Sequence, residues 1–343
     1  MSALQYRDIG APLEIVDIAR PTPGPGQVVL QVTAAGVCHS DLHIIEASAA
    51  DYRFGPLPMT LGHEAAGTVA AVGPGVEHFK LGTPVLVYGP WGCGVCHECS
   101  YGRENYCTHP DGVRPPGIAV DGAMAEYLLV DSERHLIPLG DLDPIQAVAL
   151  TDAGLTSYHA VKRALPRLGA GSFALVIGVG GLGHIAIQII RALGAARVIA
   201  VDISPEKLDL ARTMGADHVV IGDSAAEQTI RSITAGRGVD AVFDFVGSQT
   251  TAEIAGRVAG THAEITVVGV GGGAVPVGYR RLAFEASVRS TFWGSRGELW
   301  EVVDLARTGR LQVEVETHPL ADAAEVYARL ARGEVLGRAV VVP

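Results

Sequence analysis

The sequence predicts an α/β chain of two domains, one rich in β-strands and one built on a doubly wound parallel sheet. Three observations carry this. Short β-branched and apolar runs separated by Gly/Pro turns fill the first part of the chain; apolar strands alternate with helical stretches beyond about residue 150; and a Gly-x-Gly-x-x-Gly run joins the first of those strands to its helix. The 343-residue length agrees, since a domain usually takes about 150 residues.

Composition narrows the function. Charged residues make up 18% of the chain and the net charge is −11, so an acidic surface would repel phosphate backbones and nucleic acid is not an expected partner. Met1–Gly10 lacks a basic region followed by an apolar core and a small-residue cleavage site, so a cytoplasmic location is expected. The apolar run Phe173–Gly183 stops at His184, short of the ~18 residues of a membrane span, so no membrane partner is expected either. Five cysteines in a reducing compartment argue for metal binding or catalysis rather than disulfides.

Strands are expected at Val28–Thr33, Gly67–Val72 and Pro84–Tyr88, between turns such as Pro23-Gly24-Pro25-Gly26, in a mainly antiparallel domain. Between the first two lies Gly36-Val37-Cys38-His39-Ser40-Asp41-Leu42-His43, which packs a soft metal ligand, a hydroxyl, a carboxylate and two imidazoles into eight residues. A lone cysteine is ordinarily a small buried hydrophobe. An ion on Cys38 would nevertheless find candidate partners in His63, within Gly62-His63-Glu64, and Asp152, within Leu150-Thr151-Asp152-Ala153-Gly154; three protein ligands and one open position make a catalytic zinc site.

Cys93-x2-Cys96-x2-Cys99-x7-Cys107 is a stronger local signal, because four thiolates so spaced close a tetrahedral zinc site with no open position, and such sites are structural. A nucleic-acid-binding ribbon fails on charge: Lys80 and Arg103 are the only Lys or Arg from 80 to 107.

Leu150–Ala164 reads as a helix leading into the second domain. Ser172–Ile177 is an apolar strand, followed by Gly178-Val179-Gly180-Gly181-Leu182-Gly183, a helical run, and the strand Val198–Asp202. The glycine run alone is weak evidence. Placed between a strand and a helix, with an acid 24 positions past its first Gly, it is a dinucleotide fingerprint. Gly178 permits the tight turn, Gly180 the approach of the pyrophosphate and Gly183 close packing of helix on strand, while Asp202 would accept the adenosine ribose hydroxyls and repel a 2′-phosphate. A helix at Pro205–Met214 and strands at Val219–Ile221, Ala241–Val246 and Glu264–Val270 continue the alternation; Gly269-x-Gly271-Gly272-Gly273 suggests either a strand end under a ligand or a plain turn. A helix at Glu298–Thr308 and a strand at Arg338–Val342 close the chain.

Taken together, Gly36-x-Cys38-His39-Ser40-Asp41, Gly62-His63-Glu64-x-x-Gly67, the four-Cys lobe, the glycine fingerprint and Arg338 resemble the zinc-dependent medium-chain alcohol dehydrogenases, over nearly the whole chain. The resemblance implies a GroES-like catalytic domain at 1–152 and 290–343 and a Rossmann domain at 153–289. It implies NAD, two zinc ions, a small alcohol or ketone as substrate, and a homodimer or homotetramer. The family pattern with two cysteines and one histidine cannot be met here, because no further Cys remains; Asp152 occupies the matching place, as in bacterial secondary-alcohol members, so the catalytic set would be Cys38, His63 and Asp152.

The resemblance also suggests roles. Glu64 looks like the acid beside the metal, Ser40 and His43 like a proton relay, and Asp41 like the residue that orients His63; His43 as a plain surface residue and Asp41 as a turn former are the alternatives. His39 and Arg338 are candidates to flank the pyrophosphate, with Gly181 and Leu182 in the same loop. Lys207 is a candidate for the ribose, although an exposed helix lysine would look the same. Phe54, Ile118, Phe292 and Trp293 sit where family members line the substrate pocket, and each could equally be core packing. Secondary alcohols are the expected substrates; a polyol or amino-alcohol dehydrogenase and a non-catalytic dinucleotide sensor are the competing readings.

Overall fold

A computed structural model describes residues 1–343. The chain divides into two compact units: one comprises 1–152, 295–307 and 313–343, the other 153–294 and 308–312. No helix is long and apolar enough to cross a membrane.

In the first unit, a seven-stranded sheet is built around Val28–Gly36, which pairs antiparallel with Glu64–Val72, with Tyr127–Val130 and with Arg338–Val342. Leu30, Val32, Val69, Val85, Leu128 and Val341 share a single core with Tyr327 and Leu330, and Val28–Gly36 is buried on both faces, with Gln31 its one exposed residue. Expected strands here start or end within a few residues of those observed; Tyr127–Val130, Leu136–Pro138 and the outer strand Val315–Pro319, paired parallel to Arg338–Val342, lie outside those expectations.

Gly36 and Glu64 face each other across the central ladder. A Cβ on Gly36 would lie 2.8 Å from Glu64 Cδ, so the absent side chain is what makes room for the carboxylate. Cys38 caps the helix His39–Glu46, and the Asp41 side chain accepts the Cys38 backbone N–H at 3.3 Å, a reciprocal cap that fixes the turn leaving the strand.

The second unit holds a six-stranded, all-parallel sheet. Its order is 218–221, 197–202, 173–177, 239–244, 259–267, 287–290, with the fingerprint strand Phe173–Ile177 third. Phe173–Ile177 is buried throughout and 198–201 beside it likewise, which explains their unbroken Val/Ile/Ala runs. The expected strand at 241–246 ends at Asp244, because Asp244 Oδ1 accepts the N–H groups of Val246 and Gly247 and turns the chain. The strand expected to reach Val270 ends at Val267 for a related reason: Val268 and Gly269 both donate to the Asp244 carbonyl.

The glycines that follow serve close backbone approach. A Cβ on Gly271 would meet Val246 O at 2.8 Å, and one on Gly273 would meet Gln249 N at 2.6 Å. The helix expected from Leu150 starts at Ala153, after a 3-10 turn at Val148–Thr151; Asp152 sits in the break with φ −130° and ψ −65°.

The fingerprint glycines differ in what surrounds them. Gly178 has φ +86°, a conformation that costs glycine little. A Cβ on Gly183 would fall on the Gly178 carbonyl, 2.9 Å from its carbon, whereas one on Gly180 would meet nothing within 4 Å. Gly183→Ala should therefore lower the melting temperature, while Gly180→Ala should leave it unchanged and weaken dinucleotide binding. Thermal unfolding and NADH fluorescence titration of the two variants check this; equal loss of stability in both would contradict it.

Candidate functional site

Cys38, His63 and Asp152 reach one point from three places: a helix cap, the residue before the strand Glu64–Val72, and the break before the helix Ala153–Ala164. Cys38 Sγ is 3.6 Å from Asp152 Oδ2, and His63 Nε2 is 3.4 Å from the same oxygen. Zinc at tetrahedral bond lengths would set these separations at about 3.5 and about 3.3 Å, so the donor set fits the ion in number, type and spacing.

Asp41 lies behind His63, with Oδ1 3.0 Å from Nδ1. A proton on Nδ1, donated to Asp41, leaves Nε2 free for a metal. Burial alone would push the His63 imidazole down, but the Asp41 and Cys38 charges outweigh it and raise it well above the ordinary value. A metal must compete with protons for the His63 nitrogen and the Cys38 sulfur, so metal affinity here should rise with pH.

Glu64 is fully buried behind the ligands. Arg338 Nε donates to its Oε2 at 2.9 Å, and Arg338 Nη2 lies 2.7 Å from Oε1 and 3.8 Å from Asp152 Oδ2. Burial raises the Glu64 carboxyl, and Arg338 works against that shift.

The four-Cys lobe is a second donor set. Cys93 Sγ–Cys99 Sγ and Cys96 Sγ–Cys107 Sγ are each 3.9 Å, against about 3.8 Å for four thiolates around zinc. Backbone N–H groups of Cys99 and Thr108 pull the Cys96 thiol down to about 5, whereas burial pushes the Cys99 thiol up, so it is the spacing of the four sulfurs that carries the zinc assignment.

In the second unit, Asp202 is tied directly to the glycine loop. Its Oδ2 accepts Val179 N–H at 2.7 Å and its Oδ1 accepts Ser204 N–H at 3.0 Å. Ser157 Oγ donates to Leu182 O at 3.1 Å, and His184 Nδ1 lies 2.8 Å from Gly180 O, so neighbouring side chains hold the loop.

The model of the alcohol dehydrogenase GroES-like domain matches residues 24–141, and that of the zinc-binding dehydrogenase matches residues 181–308. An NAD-dependent alcohol dehydrogenase of Sulfolobus acidocaldarius is 37% identical, covering 99% of this chain and 99% of its own. This chain belongs to the zinc-dependent medium-chain alcohol dehydrogenase family. A crystal structure of the alcohol dehydrogenase of Aeropyrum pernix superposes with a TM-score of 0.94 at 37% identity, covering all of both chains. The family also includes a D-arabinose 1-dehydrogenase (NADP(+)) of Saccharolobus solfataricus, 34% identical over 99% of this chain and 97% of its own.

The remaining expected residues fall as follows. Ser40 is half-buried, with Oγ 3.7 Å from Cys38 Sγ; His39 and His43 are exposed on the same short helix. Lys207 is half-buried in the first turn of the helix Pro205–Thr213. Arg338, expected beside a pyrophosphate, is 3% exposed and engaged with Glu64. Phe54 and Ile118 pack on the core of the first unit while staying partly exposed. Phe292 is 47% exposed, and Trp293 is buried against it edge-on at 5.8 Å, with φ +52°.

One residue escaped the sequence reading: Tyr327, whose hydroxyl donates to Asp41 Oδ2 at 2.8 Å. Its helix, Ala323–Ala331, carried a signal in the 0-3-4-7 spacing of Ala323, Val326, Tyr327 and Leu330.

Elemental analysis should return two zinc ions per chain. A gentle chelator should remove the one at Cys38, His63 and Asp152 first, and faster at lower pH. A single zinc in fully active protein would refute the two donor sets.

Proposed function

We propose that this protein is a cytoplasmic, NAD-dependent zinc alcohol dehydrogenase that interconverts small or medium secondary alcohols and their ketones. The convergence of Cys38, His63 and Asp152 at zinc spacing, with an open fourth position expected, carries the reading. When bound, zinc supplies a Lewis acid for the substrate oxygen and NAD the hydride acceptor.

The chain's own residues do the rest. Asp41 holds the His63 ring with Nε2 toward the ion site. Ser40 Oγ, beside the ligand cluster, accepts the proton that the alcohol gives up while releasing its own, and His43, three residues on along the same helix and exposed, takes up the released proton and yields one to solvent. Arg338 grips both oxygens of Glu64, the acid proposed to act when ligands exchange, and opposes the rise that burial imposes on its carboxyl. Gly180 leaves open space for a diphosphate, and Asp202, fixed by Val179 and Ser204, accepts the ribose hydroxyls. His39 and Lys207 remain candidates for the cofactor, and Phe54, Ile118, Phe292 and Trp293 for the substrate walls.

A homodimer or homotetramer is part of the proposal. Ser287–Ser290 ends the parallel sheet, and nearby Val277, Tyr279 and Phe284 are exposed. An open strand edge beside apolar side chains favours pairing with a second copy; light scattering tests it.

A sugar substrate is the second reading, favoured by the D-arabinose 1-dehydrogenase relative. Turnover across 2-alkanols, polyols and aldoses, with NAD and NADP, separates the two, and a protein that binds NADH with full zinc yet turns over none of them would sink both.

Ser40→Ala should lower turnover by ~10²–10⁴, the usual size of a general acid–base contribution, with NAD affinity nearly intact. Unchanged turnover from pH 6 to 9, with chemistry rate-limiting, would remove Ser40 from the relay.

Asp202→Gly should weaken NAD by about 1.5–3 kcal/mol and relieve the repulsion of NADP. The measurement is kcat/KM for both cofactors with one alcohol; a variant that keeps the full NAD preference would show that Asp202 does not read the ribose.

A further inference from the structure

Asp41 is where two of the three proposed ligands meet a residue nearly three hundred positions away. Its Oδ1 faces His63 Nδ1 at 3.0 Å; its Oδ2 accepts the Cys38 backbone N–H at 3.3 Å and the Tyr327 hydroxyl at 2.8 Å. Asp41 is 0% exposed, His63 1% and Tyr327 2%, so no solvent competes for these bonds.

The terminal torsion of an aspartate is soft, with a broad and roughly two-fold profile, so burial alone does not fix which oxygen faces which donor. The Cys38 N–H is the longer of the two contacts to Oδ2 and belongs to the same helix turn. Tyr327 stands on a different helix, Ala323–Ala331, anchored in the core through Val326 and Leu330, and its bond, at 2.8 Å, is of full hydrogen-bond length. It supplies the external reference that stops the carboxylate from turning.

We infer that Tyr327 is a positioning residue for the catalytic metal site, acting through Asp41 on His63 and Cys38. This rests on the zinc reading above. Two effects of the hydroxyl oppose each other. It draws charge from Asp41, which makes the carboxylate a weaker acceptor for His63, and it locks the torsion, which keeps Oδ1 in line with Nδ1. The second wins, because a misaligned donor–acceptor pair loses most of its bond whereas a polarised one keeps it. Partners behind a metal ligand are worth about 10–100-fold in metal affinity, and one step further out the lower end applies.

The test is Tyr327→Phe, which removes the hydroxyl and keeps the ring. Zinc dissociation is followed with a colorimetric chelator, the four-thiolate ion serving as an internal reference within the same chain. The variant should release the ion at Cys38, His63 and Asp152 about tenfold faster, with the four-thiolate release unchanged. In an Asp41→Ala background the same change should add nothing, because the path through Asp41 is already cut. If Asp41→Ala does not fold, the Nδ1–H resonance of His63 in labelled Tyr327→Phe replaces it: a shift or broadening there, with other histidines unmoved, is the expected result.

Wild-type release rates in Tyr327→Phe, or slower ones, would overturn the proposal, as would equal acceleration at both ions, an additive effect in the Asp41→Ala background or an unmoved His63 resonance. A wild type that holds only the four-thiolate ion would instead overturn the zinc reading, and the inference with it.

Discussion

Charge balance in a buried pocket is the constraint on which the first unit depends. Cys38, Asp41, Glu64 and Asp152 are all buried, and each is an acid; only Arg338 and His63 stand against them. Isolated charges of this kind are too costly to bury, so each must find a partner or give up its charge. Arg338 spans Glu64 and approaches Asp152; Asp41 takes three donors; and the three remaining donor atoms converge where a divalent cation would complete the balance. Removing one partner of such a pair typically costs about 3–5 kcal/mol. Gly36 belongs to the same solution, since any side chain there would occupy the space of the Glu64 carboxylate.

The two donor sets are supported in different ways. The four cysteines lie within 93–107, so closing that loop costs little chain entropy, and one carboxylate staples it to the domain. Glu104 accepts Gly92 N–H at 3.0 Å, Arg134 Nε at 3.3 Å and His135 Nε2 at 2.9 Å, while Arg134 also donates to Gly92 O. Burial pushes the Glu104 carboxyl up, yet His135 and Arg134 outweigh it and hold it below its ordinary value. The Cys38 set instead gathers ligands 114 positions apart, and only the assembled sheet brings them together.

That difference decides what could be read from the sequence. The four-Cys lobe and the glycine loop are local, so spacing alone exposed them, and the central strands followed from their unbroken apolar runs. For the Cys38 set the residues offered His63 and Asp152 only as candidates, and the resemblance supplied the reason to join Asp152 to it, because nothing local marks an aspartate at a helix break as a ligand. The Glu64–Arg338 pair and the Tyr327–Asp41 bond connect residues 274 and 286 positions apart, separations at which no period or motif operates. Strand ends were misplaced where a side chain ended them: Asp244 stops two strands through its own oxygens, which strand propensity does not record. Trp293 shows the same limit, as a bulky residue at φ +52° in a sequence that gives no hint of a left-handed turn.

The strand Arg338–Val342 has a temporal consequence. A ribosome emits Cys38, His63, Glu64 and Asp152 long before Arg338, and Tyr327 likewise follows all of them. During that interval the acids have neither their guanidinium nor the hydroxyl that fixes Asp41, and Val28–Gly36 lacks its antiparallel neighbour at Val340–Val341. The four thiolates of the lobe, by contrast, are all in place by Cys107. The order of synthesis therefore puts all four lobe thiolates ahead of the strand that carries Arg338, whereas the partners of the Cys38 site are complete only once that strand has emerged.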